Sequence, residues 1–526
     1  MTSNAFTTRA PTVATKGVVA TSHQLASFAG ASILKQGGNV VDASIATSAV
    51  LCVTQNNLCG LGGDAFALVR MANRVIGING SGRAGRNAST SYFSSRGYQK
   101  IPERGPLSAI TVPGLVSVWG ELYKRYASME LKELLEPAIR YASEGFPITP
   151  NYSESIRRSI SVFSEFKEWC RVFLPEGRVP EAGFLFKQPD LASSLRLIVE
   201  EGCESMYKGR LSELMVRGIE KEGGLLVEED FAEHSSIWCE PVSTSYRGIN
   251  VYETPPNSQG AVVLLWLNLL EQYDLARTPQ SDALKIFAET YKVVNMERST
   301  KVGDPEYLSL PSDFTSKEYA QRIYHTDSTS KTGNISTDEG DTTYFCVADS
   351  EGNCVSMIQS NYMGFGSGLV PEGTGIVMQN RGCYFTLDKD HHNCLEPGKR
   401  TFHTLCASMA EMDGEAKFCL GSMGGDIQPQ IHVQLITNLI DKGLDIQSSI
   451  DRPRWSIPGT IYEEPSSLVI EPGLVEIPEG YEISGLRLKP AQRQSASMGH
   501  AQGIVFLKEG LMAGADPRGD GAAVGF

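Results

Sequence analysis

The sharpest candidate for chemistry is Gly340-Asp341-Thr342-Thr343-Tyr344, where a long polar stretch runs into an apolar one with a hydroxyl residue at the junction. From position alone Thr342 is the first residue of a strand. The chemical reading is an N-terminal nucleophile. If the Asp341–Thr342 bond is cut, Thr342 gains an α-amine with a reference pKa of ~8, which can act as general base for its own hydroxyl. No histidine is then needed. A second feature is Gly421-Ser422-Met423-Gly424-Gly425-Asp426, set between an apolar strand and an apolar helix. Paired glycines there let backbone N–H groups approach a ligand at a helix N-terminus, the geometry of an oxyanion hole or anion site. A lone Gly-Gly otherwise reads as a tight turn. Third, Ser360-Asn361-Tyr362-Met363-Gly364-Phe365-Gly366-Ser367-Gly368 ends the strand that follows Thr342. A hairpin returns Ser360 beside Thr342. No Gly-Lys-Ser/Thr follows, so this is not a phosphate-binding Walker loop.

The elements that must position these residues are legible from periodicity. Short β runs at 343–347 and 354–360 flank Asp349-Ser350-Glu351-Gly352-Asn353, a hairpin signal. Further β runs are expected at 375–380 and 417–421, with a helix over 427–439. Upstream, Leu25, Phe28, Ala29, Ile33 and Leu34 recur at helical spacing until Gly37-Gly38 stops them. A second apolar helix covers 42–53, and Gly60-Leu61-Gly62-Gly63-Asp64 turns into a strand over 65–70. Helices follow around Val116–Tyr123, Leu131–Ile139 and 261–273. Helices thus dominate the first two-thirds and strands the last third. Residues 1–15 read as a loose lead-in and 311–341 as a polar surface loop.

Composition bounds the function. The 526 residues carry 47 Lys and Arg against 61 Asp and Glu, a net charge of −14. That argues against nucleic acid or an anionic membrane as partner. The 11 cysteines are scattered, with no C-x-x-C spacing, so a reducing, cytoplasmic setting is expected. The first residues lack a signal-peptide apolar region. Cys346, Cys354, Cys406 and Cys419 fall in apolar runs and read as buried, inert thiols. Asp388, Asp390, His391, His392 and Cys394 lie close together, but their spacing fits no structural zinc pattern, and a solvated loop is the reading. His500 reads as a core-edge histidine.

The three features, in this order, resemble the γ-glutamyltranspeptidase family of N-terminal-nucleophile hydrolases. Gly37-Gly38-Asn39-Val40-Val41-Asp42-Ala43, Gly60-Leu61-Gly62-Gly63-Asp64-Ala65-Phe66, Val112-Pro113-Gly114, Pro255-Pro256-Asn257-Ser258-Gln259-Gly260, Glu297-Arg298-Ser299, Gly303-Asp304-Pro305 and Ala515-Asp516-Pro517-Arg518 are similar to the family's blocks and follow its order, over residues 16–526. The resemblance implies an α+β fold, a four-layer αββα sandwich. It implies a self-cleaving γ-glutamyltransferase or γ-glutamyl hydrolase, acting on glutathione-like amides and using water or an amine as acceptor. Cleavage between Asp341 and Thr342 would give a large chain, 16–341 after the lead-in, and a small chain, 342–526. The two chains would form one domain and stay associated as a heterodimer, open to further dimerisation. Thr342 would be the nucleophile, Gly424 and Gly425 the oxyanion donors, and Ser360 the hydroxyl that positions the nucleophile. No metal or organic cofactor is required.

The glutamyl-recognition positions depart from the family pattern. Ser81 falls at the family's arginine position, with Arg83 one strand repeat further on. Tyr362 stands in place of an asparagine, and His403-Thr404 in place of a serine pair. Tyr384, beyond Asn380 and Arg381, falls where the family has the acid that accepts the substrate amine. A tyrosine cannot replace a carboxylate as an ion-pair partner. Arg381 and His403 could instead hold an acidic acyl group without an amine. The pattern looks closer to the cephalosporin-acylase-like and γ-glutamyltransferase-like branches, which keeps open an amidase for a different dicarboxylic acyl amide or a biosynthetic acyl-processing enzyme on the same machinery. An uncleaved, non-enzymatic binding protein is the remaining alternative, and the intact Thr342, Gly424 and Gly425 argue against it. The stretch 382–399 leaves little room for the family's lid, so an open pocket is expected. The 526 residues would allow about three domains, but site residues drawn from near 83, 342–384, 403–404 and 424–425 argue for one.

Overall fold

The computed structural model describes residues 8–324, 340–476 and 481–526. Two seven-stranded antiparallel sheets lie face to face at its centre. In one, the order is Ala522–Gly525, Gly17–Thr21, Gly340–Asp349, Cys354–Met363, Asp64–Met71, Arg74–Asn79 and Ile237–Cys239. In the other it is Thr12–Ala14, Gly510–Ala515, Ala501–Leu507, Glu415–Ser422, Ser408–Met412, Ile249–Glu253 and Val242–Tyr246.

The period-2 alternation of a strand decides which layer each side chain joins. Along Gly340–Asp349, Tyr344, Cys346 and Ala348 enter the core between the sheets, with Phe66, Leu68, Met409, Cys419 and Ile504. Phe345 and Val347 face the other way, into a layer that includes helices Gln24–Lys35, Val40–Thr54 and Leu131–Glu144. Helices Gly260–Leu270, Gln280–Lys301 and Gln428–Ile440 cover the second sheet. The result is the expected αββα sandwich. Thr342 shares the parity of Tyr344, so it stands at the end of the space between the sheets.

Local chemistry explains the early motif. Asn39 Oδ1 caps the N–H groups of Val41 and Asp42 at 2.8 and 3.1 Å, while Asp42 Oδ2 accepts from the Asn39 N–H at 2.9 Å. This reciprocal cap starts a helix whose every residue is buried.

Four expectations need correction. The run 375–380 makes no strand, only a bridge between Gly62 and Met378, because positive φ at Gly373 and Gly375 (79° and 64°) breaks the extension. The polar stretch 311–341 is not all loop. Lys317–Tyr324 is a helix that buries Tyr319, Ala320 and Ile323, and Gly340 and Asp341 already belong to the strand that carries Thr342; 325–339 lie outside the described residues. Strands are not confined to the last third either, since residues before 260 supply the strands that flank the late ones in both sheets. Phe28, placed on the buried stripe of its helix by spacing, is 58% exposed. That helix buries Ala26, Ala29, Gly30 and Ile33 instead.

Candidate active site

The hairpin brings Thr342 and Ser360 together. Asp341 pairs with Tyr362 and Thr343 with Gln359, so the return strand carries one extra residue opposite Thr342. This bulge re-aims the chain, as bulges do beside functional residues. Tyr362 sits there at φ +77°, a region that side chains other than glycine seldom adopt. Its N–H donates to Ser360 Oγ at 2.7 Å. Thr342 Oγ1 donates to the same oxygen at 3.1 Å, and Ser360 Oγ in turn donates to the carbonyl oxygen of Asp341 at 2.7 Å. One hydroxyl thereby uses its single proton and both acceptor sites. The bond between Asp341 and Thr342 has its carbonyl polarised by Ser360, with the Thr342 hydroxyl beside it.

The glycine turn closes the other side. Gly424 has φ +141° and Gly425 φ +56°. They lead from strand Glu415–Ser422 through the turn Gly425–Ile427 into helix Gln428–Ile440, and Cα atoms of that turn lie within 8 Å of the nucleophile strand. Gln259 ties this turn to the substrate side. Its Nε2 donates to the carbonyls of Thr404 at 2.7 Å and Gly425 at 3.0 Å.

Arg381 lies between. Its guanidinium is 3.9 Å from the centre of the Tyr362 ring, and Nη2 donates to Thr404 Oγ1 at 3.1 Å. The residue is 1% exposed, and Nε and Nη1 have no hydrogen-bond partner among the described residues. Burial lowers its pKa from the ordinary arginine value.

Sequence reasoning missed two acids here. Asp426 Oδ1 accepts the Tyr384 hydroxyl at 2.5 Å and Arg298 Nη1 at 3.2 Å. A carboxylate next to the glycine pair thus meets the Tyr384 hydroxyl. Burial raises its pKa above the ordinary aspartate value. Asp64 is fully buried and accepts Gly114 N–H at 3.1 Å, Gly82 N–H at 3.3 Å, Gln379 Nε2 at 3.0 Å and His403 Nε2 at 3.1 Å. Burial pushes its carboxyl up to about 7, against the opposing pull of Arg381. The His403 Nδ1 accepts the Leu405 N–H at 3.3 Å, so the neutral ring carries its proton on Nε2 and donates it to Asp64. Burial holds His403 well below its usual pKa. Both acids stand in motifs visible in the sequence, GLGGDAF and GSMGGD. The signal was an acid next to a glycine pair.

Several residues expected at the substrate are engaged elsewhere. Arg83 pairs bidentately with Glu306 and donates to Gly398 O at 2.8 Å, with its side chain 34% exposed. The strand that was to carry the alternation from Ser81 to Arg83 ends at Asn79, so the two-residue repeat does not reach it. Ser81 Oγ is buried on Asn79 and Asn257 at 2.7 and 3.1 Å. Asn380 bonds Met363 N–H and Glu103 O at 3.1 and 2.8 Å, holding the backbone around the site. Nor do the described residues show the expected open pocket: Thr342 is 1% and Tyr384 3% exposed. Tyr384 stacks on Phe402 and packs against Tyr462, and Asp341 still occupies the strand edge beside Tyr362.

One buried trio, Glu253, Cys406 and His432, groups three metal-ligand types. Glu253 Oε1 bonds His432 Nδ1 at 2.9 Å, and the Cys406 thiol bonds Gln428 Oε1 at 3.6 Å. The sulfur is 4.0 and 3.9 Å from the two ring nitrogens, close to neither lone pair in particular. The group packs as a hydrogen-bonded core cluster. In the loop at 388–394, the Asp390 N–H bonds Asp388 Oδ1, the His391 and His392 rings stack, and His392 Nε2 lies 3.2 Å from the Val302 carbonyl oxygen.

The family model described as Gamma-glutamyltranspeptidase matches residues 26–526. The chain is 39% identical to the glutathione hydrolase-like YwrD proenzyme of Bacillus subtilis (strain 168), covering 98% of this chain and 99% of that protein. It is 33% identical to the oxamate amidohydrolase proenzyme of Klebsiella pneumoniae, over 98% and 99% of the two chains. Among solved structures, cephalosporin acylase from Bacillus halodurans superposes with a TM-score of 0.90 at 36% identity, covering 100% of this chain and 98% of that one.

Proposed function

The chain belongs to the gamma-glutamyltranspeptidase family, and from that premise we propose that it is a self-processing amidase that transfers the acyl group of a γ-glutamyl-type amide to water or an amine. The observation that carries this reading is the set of contacts linking Thr342 Oγ1, Ser360 Oγ and the Asp341 carbonyl. Thr342 Oγ attacks the Asp341 carbonyl carbon while Ser360 holds the oxygen on which charge develops. The C–N bond breaks, the nitrogen takes up the hydroxyl proton, and an ester links Asp341 to Thr342 Oγ. Water hydrolyses that ester, leaving Asp341 with a carboxylate and Thr342 with a free α-amine.

The same oxygen then serves substrate. The α-amine takes the hydroxyl proton as Oγ attacks the amide carbonyl, and backbone N–H groups of the Gly424-Gly425 turn receive the oxyanion. The leaving amine carries away the proton, and water or a second amine resolves the acyl-ester. The names of the relatives, a glutathione hydrolase-like proenzyme and an oxamate amidohydrolase proenzyme, support both processing and amide cleavage. We propose further that the products of processing, ending at Asp341 and starting at Thr342, remain paired.

Denaturing electrophoresis tests the reading directly. The purified protein is expected as two bands, and Thr342→Ala as one full-length band without turnover of γ-glutamyl-p-nitroanilide. A full-length band from the unaltered protein, or two bands from Thr342→Ala, would refute the assignment.

A further inference from the structure

Buried arginines are ordinarily surrounded by acceptors, because an unpaired buried charge or donor is costly. The described structure offers a direct contrast. Arg298, also 1% exposed and likewise without a partner for Nε, spends Nη1 on Gln259, the Asp426 carbonyl and the Asp426 carboxylate, and Nη2 on Gly459 O, so both of its terminal nitrogens are matched. Arg381 spends only Nη2, on the neutral Thr404 hydroxyl. Its Nε and Nη1 are buried without partners, and it stacks on Tyr362, two residues from the hydroxyl that positions the nucleophile.

The charges nearby do not remove the deficit. Asp426 is already matched by Arg298 and by the Tyr384 hydroxyl. Asp64 accepts four neutral donors, and burial pushes its carboxyl up to about 7, so near neutrality it offsets the guanidinium only in part. His403 is neutral, and Arg400, which also acts on Asp64, adds positive charge. The unspent N–H groups of Nη1 and Nε can each give a charge-assisted hydrogen bond to a carboxylate oxygen.

We propose that Arg381 anchors a carboxylate on the acyl group of the substrate, so that the enzyme takes amides of carboxylate-bearing acyl groups whether or not they carry an α-ammonium. This rests on the amidase reading above and specifies its acyl group. Gly340 and Asp341 pair with Met363 and Tyr362, so the strand end that processing releases lies along the edge of the same tyrosine that covers Arg381. Its departure is the step that makes room for the acyl group.

The test compares glutaryl-, γ-glutamyl- and butyryl-p-nitroanilide on the processed enzyme and on Arg381→Met and Arg381→Lys. The readout is the ratio of kcat/KM for glutaryl over butyryl, which does not depend on the fraction of active protein. The unaltered enzyme is expected to prefer glutaryl by about a hundredfold or more, with γ-glutamyl within about tenfold of glutaryl. Arg381→Met should bring the ratio close to one, and Arg381→Lys should keep an intermediate value. A ratio near one in the unaltered enzyme, or a full ratio in Arg381→Met, overturns the proposal. A γ-glutamyl preference far beyond tenfold overturns its indifference to the ammonium. If Arg381→Met does not fold, competition on the unaltered enzyme decides: glutarate should inhibit and butyramide should not, and equal inhibition counts against Arg381. If no probe is turned over and the chain stays uncut, the amidase reading itself fails. Equal turnover of glutaryl and butyryl probes removes only this inference.

Discussion

Ser360 Oγ bonds the Thr342 hydroxyl, the Asp341 carbonyl and the N–H of Tyr362, and in the proposed reaction each contact has a different consequence. The N–H fixes the hydroxyl, the Thr342 contact orients the attacking oxygen, and the bond to Asp341 O stabilises the charge that forms during processing. Removing one donor from an oxyanion site costs about 10²–10³ in rate in well-measured cases. Ser360→Ala should therefore process about a hundredfold more slowly, and Ser360→Thr should stay near the unaltered rate. The appearance of two bands with time after synthesis measures this; an unchanged rate in Ser360→Ala would assign the contact no part in cleavage. At this scale the sequence exposes what local motif and hairpin return can carry, which is why Thr342 and Ser360 are legible. It does not expose charge balance. Asp64 and Asp426 lie in visible motifs, yet their partners His403, Gln379, Arg298 and Tyr384 come from distant segments.

The elements show why those side chains meet. Asp64–Met71 pairs with Cys354–Met363, and the GLGG turn that precedes it presses on the bulge. A Cβ on Gly63 would lie 2.3 Å from the Ser360 carbonyl oxygen and 2.6 Å from Asn361 Oδ1. The neighbour is backbone of the return strand, so relief requires moving the strand that aims Ser360. Gly63→Ala is expected to yield soluble but slowly processed protein, with a loss in thermal stability of about 1–3 kcal/mol, the usual cost of overpacking. Thermal unfolding and electrophoresis measure the two effects; normal processing with normal stability would show that the close approach is not needed. Helices that are apolar all round are legible within a few residues of their ends, as at Val40–Thr54 and Gly260–Leu270. The segment 364–407 is not. It is mostly buried with little regular structure, and its fold is set by side-chain bonds such as those of Asn380 and Asn393 rather than by period.

At the scale of the molecule the strand order decides what cleavage can do. In one sheet Gly17–Thr21 is held between Ala522–Gly525 and Gly340–Asp349, while Cys354–Met363 is paired to Asp64–Met71. In the other, Thr12–Ala14 pairs with Gly510–Ala515, and Ile249–Glu253 with Ser408–Met412. Residues on either side of the Asp341–Thr342 bond thus alternate through both sheets, and separating them would break strand pairs in each sheet and open the core between them. Cutting one peptide bond removes none of these pairings except those of the strand end at Gly340 and Asp341. A length that would fit several domains thus folds as one interleaved body. After processing, the two pieces should co-elute as one species in size-exclusion chromatography, at the volume of uncut Thr342→Ala or at a multiple of its mass. They should part only in denaturant, in the same cooperative transition that abolishes activity. Elution as two separate species under native conditions would show that the pairings across the cut are weaker than the sheet order requires.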